Sequence, residues 1–398
     1  MSTYAQPMAT YQGNQESRVY DISERIGLLS TFKPVVLQLS MAQAYTSDDV
    51  RFQWDEDALS TVVTAVNHSG GYNTSATDIV VDDASIYTAK DFVRVIRTGE
   101  VMQITAVTVG SNTLTVVRGV GNSGTGIAIN DDDTLIKSGA GFEEGSTNPS
   151  TRMSDTSTVY NYCQTFRWTY GVTGTEARTK ATPGKRFSHL DTKNAGEFTR
   201  LMEEAFVFGK RDQNTGAFSK YRYATGGLLY YITTNTTAVG GTLSHTAWLT
   251  FLTDKAFKYG SDRKYFFCGS LFQKILGTFG FNYYRTDLSN GRFGFPVLVY
   301  VTPTGKELVL IEHDLFKTTS DLSGLGIVVD PESIEARYTE NPYGPPEGIV
   351  YSNGRIQWRP NINPQGTDAV TREYFAEMGI VIRDEEKCAV ISGVTGAA

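Results

Sequence analysis

Cysteine and histidine are scarce in this chain of 398 residues, three of one and four of the other. Cys163, Cys268 and Cys388 lie too far apart for a CxxC pair and cannot all pair, which excludes a disulfide framework and predicts buried thiols in a reducing compartment. His68, His189, His245 and His313 stand in neither HExxH nor any other two-ligand spacing, so they form no metal pattern. No apolar run reaches the ~18 residues that a membrane span takes. The opening MSTYAQPMATYQGNQ has neither the basic nor the apolar stretch of a secretion signal, so the expectation is a chain made and kept in a cytosol. A net charge of -7, mixed in sign along the chain, leaves no basic face and excludes a tight grip on nucleic acid.

Catalytic constellations are also missing. Gly119, Gly121 and Gly124 match GxGxxG, but a dinucleotide site needs a helix start there and IAINDDDTLI reads as strand, so the glycines read as a turn. Asp131, Asp132 and Asp133 lack the spaced oxygen ligands of a calcium loop and read as a solvated turn. Glu312, His313 and Asp314 are consecutive strand residues, whose side chains alternate between faces and cannot converge as a triad. Glu203 and Glu204 lie on a helix, where solvated or paired carboxylates are expected. There is no nucleophile elbow and no phosphate-binding loop. The sequence predicts no enzyme, no cofactor and no metal.

What is present is a long amphipathic helix. In DTKNAGEFTRLMEEAFVFGKR, residues 191–211, Ala195, Phe198, Leu201, Met202, Ala205 and Phe206 recur at three- and four-residue steps, opposite Glu197, Arg200 and Glu204. Asp191 is the expected cap and Gly209 the expected left-handed stop, with Lys210 and Arg211 at the carbonyl end. Before it, VRFQWDED and VYNYCQTFRWTYGVTG both alternate at the two-residue period of strands and are expected to pair as the stem of a large hairpin. Between them, residues 67–148 hold short Val/Ile/Thr strands broken by Gly, Asn and Asp, the pattern of a small barrel or sandwich. After it come a helix capped by Ser244, the buried strand and helix of KYFFCGSLFQKILGTFG, three strands in FPVLVYVTP, KELVLIEHDLF and GLGIVVDP, and a Pro-broken connection ARYTENPYGPPEGIV. Two strands across an RDEEK turn end the chain. The class is α+β.

This order, with VYNYCQTFRWTYGVTGT, GEFTRLMEEAFVFGKR and TREYFAEMGIVIRDEEKCAVISG as the stretches that carry the likeness, resembles the major capsid protein of tailed bacteriophages, the Hong Kong ninety-seven fold. The resemblance implies an N-terminal arm (1–45), an E-loop (46–66 and 149–182) carrying the β-domain (67–148) as a lineage-specific insertion, and a peripheral domain with a spine helix (183–240). An axial domain (241–340) and strands returning to the peripheral domain (341–398) complete it. It further implies self-association in hexamers and pentamers into an icosahedral shell that encloses double-stranded DNA without reading its sequence. The shell would be assembled in the host bacterial cytoplasm and found in the virion, with a separate scaffolding, portal or decoration protein as further partners and no membrane. A two-stranded hairpin cannot bury both aromatic faces alone, so Phe52, Trp54, Phe166 and Trp168 are the candidate contacts with another subunit, as are Ile22, Ile26, Leu28 and Leu29 of the arm. A glycan-binding adhesion protein and an encapsulin-like compartment shell are the alternative functions.

Overall fold

A computed structural model describes residues 32–59, 61–146, 155–178, 186–214, 216, 220–279, 284–287, 297–317, 319–339, 350–352, 355–360, 362–363 and 366–397. Contacts divide the chain into a larger unit, residues 1–54 and 158–398, and a smaller one, residues 55–157.

The larger unit opens with α1 (Val35–Ala42), whose Val35, Val36, Leu37 and Leu39 are buried. The end of the expected arm therefore packs into the core of its own subunit. β1 (Ala44–Ser47) and β2 (Arg51–Glu56) follow.

The smaller unit comprises β3 (Val63–Ala65), β4 (Asp78–Val80), β5 (Asp91–Val95), β6 (Val101–Thr108), β7 (Thr113–Val117) and β8 (Thr134–Ala140). Its strand order is β3-β8-β5-β6-β7-β4, and a bridge between Val66 and Val81 joins the two edges. Around that bridge Asn67 N donates to Val80 O and Asp82 N to Ala65 O, each at 3.0 Å, so the described strands close into a barrel. The two-residue period turns Val93, Val95, Met102, Ile104, Leu114 and Val116 inward.

Back in the larger unit, β9 (Ser157–Tyr162) pairs with β2, and β10 (Gln164–Thr173) and α2 (Gly174–Arg178) follow. Next come α3 (Arg186–Phe208), β11 (Asp212–Asn214), β12 (Arg222–Ala224), α4 (Leu228–Tyr231) and β13 (Thr236–Leu243). Then α5 (His245–Phe251) continues as a π-helical turn over Leu252–Ala256, and β14 (Arg263–Cys268), α6 (Ser270–Thr278), β15 (Tyr284–Asp287), β16 (Val297–Val301) and β17 (Glu307–Glu312) follow. The last elements are α7 (Ser320–Ser323), β18 (Gly326–Val329), β19 (Ile334–Thr339), β20 (Val350–Ser352), β21 (Ile356–Arg359), β22 (Ala369–Ile382) and β23 (Ala389–Ala397). One sheet has the order β1-β19-β22-β21-β20 with β10 also on β22, and the other runs β13-β23-β18-β14-β17-β16-β15.

Several expectations change here. The hairpin stem is only β2 and β9. β10 leaves it at Cys163 and runs antiparallel to β22 from Gln164↔Met378 to Thr173↔Ala369. Residues 336–339, read as the start of a Pro-broken connection, belong to strand β19, because β1 and β22 pair with its two edges. β22 and β23 do not pair with each other across the RDEEK turn; β23 enters the second sheet between β13 and β18, so the returning strands divide between two sheets.

β14 is buried on both faces. Tyr265 and Phe267 join a core with α1, α3 and β22, while Phe266 and Cys268 join another with α5 and α6, which explains the unbroken apolar run KYFFC. Ser244 caps α5 as read, its hydroxyl accepting from Ala247 N at 3.2 Å.

α3 starts at Arg186, so Asp191 is not its cap but an interior residue. Asp191 accepts from Tyr170 Oη at 2.7 Å and from Arg372 Nη1 at 2.5 Å, tying the helix to β10 and β22. Gly209 does not take a left-handed turn. It is needed because a Cβ there would lie 2.2 Å from Ala205 O and 2.5 Å from Thr225 O. Arg211 does not reach the helix carbonyls; it donates to Tyr160 O at 2.7 Å and stacks over that ring. The apolar face is as read: Phe198, Met202 and Phe206 are buried, while Arg200 lies between Glu197 and Glu204 outside.

Candidate functional site

The aromatic residues offered as subunit contacts are largely covered by their own chain. Phe52 is 8% exposed, Trp54 5% and Phe166 1%. Two partners from outside the hairpin cover Phe52 and Trp54. Gly379 of β22 leaves room for the Phe52 ring, where a Cβ would approach to 2.7 Å, and Tyr231 of α4 lies 5.8 Å from Trp54, ring to ring. Phe166 packs edge-on against Phe206 of α3, and Trp168 is half-buried with Nε1 donating to Asn194 Oδ1 at 2.9 Å. Phe52, Trp54 and Phe166 are thus buried within their own subunit, and Trp168 packs partly buried against the same core as Phe166. Ile22, Ile26, Leu28 and Leu29 lie outside the described residues.

The motifs that could have held ligands are occupied from within. In the barrel, Glu100 and Arg118 form a buried two-pronged ion pair, both bonds 2.8 Å. Glu100 also accepts from Gly119 N at 3.1 Å and Ile127 N at 3.0 Å. The glycine loop thus spends its end amides on a carboxylate, which leaves it unfit for a phosphate. Segment 127–133 is loop rather than the expected strand, which begins at Thr134. Burial pushes the Glu100 carboxyl up, but the Arg118 hydrogen bonds and the two amides outweigh it and hold it below the usual range.

The acidic turn is not merely solvated. Asp133 is buried and accepts from Arg97 Nε and Nη2, both at 2.6 Å, and from Asn130 N at 2.7 Å. The Arg97 bonds hold its carboxyl low against the opposing effect of burial. Asp131 accepts from His68 N at 2.7 Å. Among the described residues no three His, Cys, Asp or Glu side chains gather as metal ligands, and no helix is long and apolar enough to cross a membrane.

All three thiols are buried, as read. Burial pushes Cys163 and Cys388 up to about 11 and Cys268 higher still, so they are unreactive packing residues.

Two buried polar groups were not anticipated in position. Asn161 on β9 donates through Nδ2 to Thr225 Oγ1 (3.0 Å), Gly226 O (3.0 Å) and Ile380 O (2.7 Å), and accepts from Tyr162 N (2.9 Å) and Gly226 N (2.8 Å). It joins β9, the loop before α4 and β22. Glu204 is paired with Arg200, as expected of it, but Glu203 is fully buried and meets His313 Nε2 at 2.8 Å. Its position four residues before the buried Val207 was the available signal.

These buried polar groups thus serve as internal ties. One family model, that of the SU10 major capsid protein, matches residues 5–395. The chain belongs to the SU10 major capsid protein family. The matched span runs across both units.

No curated protein matches the chain. Among solved structures, the capsid asymmetric unit of cyanophage A-1(L) is similar with TM-score 0.51 at 10% identity, over 97% of this chain and 100% of that one. A structure from Microbacterium phage Oxtober96 has TM-score 0.49 at 10% identity, over 97% of this chain and 99% of that one. The holo-SrpI encapsulin complex from Synechococcus elongatus PCC 7942 has TM-score 0.41 at 12% identity, over 60% and 78%. At such identities the cyanophage likeness shows the fold alone, that of a phage capsid protein. The family makes this chain a shell-forming structural protein of the virion that associates with its own copies.

Proposed function

We propose that copies of this chain, as hexamers and pentamers, build an icosahedral shell around a double-stranded DNA genome. The observation that carries the reading is the family match across residues 5–395, which spans both units. A wall with a charge of only -7 per copy suits enclosure of DNA without gripping it. Assembly takes place in the host bacterial cytoplasm, with scaffolding, portal or decoration proteins as separate chains. Residues 46–66 and 149–182 act as the E-loop, and Ile22, Ile26, Leu28 and Leu29 of the arm make contacts between subunits. The barrel lies on the outer surface and bridges neighbouring capsomers. Negative-stain microscopy of the purified protein tests the central claim: closed shells are expected, and fibres or monomers under all assembly conditions would overturn it.

A further inference from the structure

A helix needs partners for its first amides, and a side chain just before it is the cheapest source. α1 is preceded by Pro34, which has no side-chain acceptor. Its free amides go instead to a residue far along the chain: Val36 N donates to Glu203 Oε1 at 2.8 Å and Leu37 N to Glu203 Oε2 at 2.7 Å. His313 Nε2 lies 2.8 Å from the same Oε1, and both side chains are 0% exposed. The His313 backbone N donates to Cys268 O at 3.0 Å, and the ring stacks on Phe316, so the imidazole is held from below. Next to it, Lys33 N donates to Asp314 Oδ2 at 2.9 Å.

Burying a carboxylate carries a large desolvation cost, and a Ser or Asp at position 34 would cap the helix without it. The buried Glu203 adds something a local cap cannot. It holds α1 in one place on α3 and on the end of β17, and thereby fixes the point, at residues 32–34, where the chain enters α1.

We infer that Glu203, oriented by His313, is the positioning residue of the N-terminal segment, a clasp that aims it for subunit contact. The aiming rests on the assembly reading; the clasp itself is a property of one subunit, and the two fail separately.

The test uses the full chain and three forms: wild type, Glu203→Gln, and Glu203→Gln combined with Pro34→Asp. Glutamine keeps the size but presents one oxygen and an NH2 donor to a site built of donors. Hydrogen exchange at residues 33–42 should rise about tenfold or more in Glu203→Gln, while β14, β17 and β18 stay protected. Shell yield, read by microscopy, should fall with it. In the double variant the local cap restores helix α1 and lowers exchange, but shell yield stays low because the segment is no longer tied to α3. Unchanged exchange in Glu203→Gln would overturn the clasp. Recovery of shells in the double variant would reduce Glu203 to a capping residue and overturn the positioning role. If wild type forms no shells, the assembly reading fails, and the exchange comparison still decides the clasp.

Discussion

At the scale of the residue, the decisive groups are polar ones placed where no water reaches. Asn161 uses both ends of its amide, accepting from Gly226 N and donating to Ile380 O. Asn161→Leu should therefore cost about 2–4 kcal/mol, since several buried partners lose their bonds together. Urea denaturation followed by tryptophan fluorescence reads this directly, because all four tryptophans lie in the larger unit. A midpoint within error of wild type would contradict the network. Glu100 and Asp133 give a second expectation. Both carboxyls are held below their ordinary range in the folded barrel, so both contribute stability that is fully present above the unfolded carboxylate range and is lost as pH falls through their folded values. Hydrogen exchange in barrel peptides, corrected for the intrinsic pH effect, should be flat above about pH 5 and rise below about pH 4. Equal protection at about pH 3 and about pH 7 would sink the idea.

At the scale of the element, α3 carries the larger unit. Its inner face meets β10 through Phe206 and Phe166, and Phe198 stacks on Tyr374 of β22 with ring centroids 5.8 Å apart. Phe198→Asp places an unpaired carboxylate in that core and should cost about 3 kcal/mol or more, with loss of soluble protein. Glu197→Ala removes only a half-exposed partner of Arg200 at 3.4 Å and should fall within about 0.5 kcal/mol of wild type. Comparing soluble yield and denaturation midpoint for the pair checks which face is buried. The amphipathic stripe was legible because 3.6-residue periodicity is a local property. The start of the helix was not, since Asp191 looks like a cap until Tyr170 and Arg372 are brought to it from elsewhere in the chain.

At the scale of the whole molecule, the question is what the barrel does for the subunit. Residues 55–157 have a closed sheet and a core of their own, so the segment should fold when expressed alone and show protected amides in β5 to β8. An unfolded product would mean that the rest of the chain supports it. Replacing 55–157 by a short Gly/Ser link asks about assembly. If the barrel bridges capsomers, shells should fail to form or come apart on mild heating. Intact shells of normal heat resistance would instead mark it as a dispensable decoration.

The sequence by itself determined α3, α5 and the strand-rich character of the barrel, and through its resemblance the kind of molecule. Two-residue alternation marked the strands and turn residues punctuated the barrel. The long stretches of familiar pattern pointed to a capsid protein. Partners across the chain were decided only by the tertiary structure. Alternation says that Phe52, Trp54 and Phe166 have a covered face but not what covers it, and that cover is Gly379, Tyr231 and Phe206, up to 327 residues away. In the same way β10 chose β22 over β2, and β23 left β22 for the second sheet, because strand pairing depends on which edges folding brings together. Glu203 is the sharpest case. A glutamate on a helix reads as solvated or paired, and only the arrival of α1 and His313 gives this buried carboxylate its three hydrogen-bonding partners.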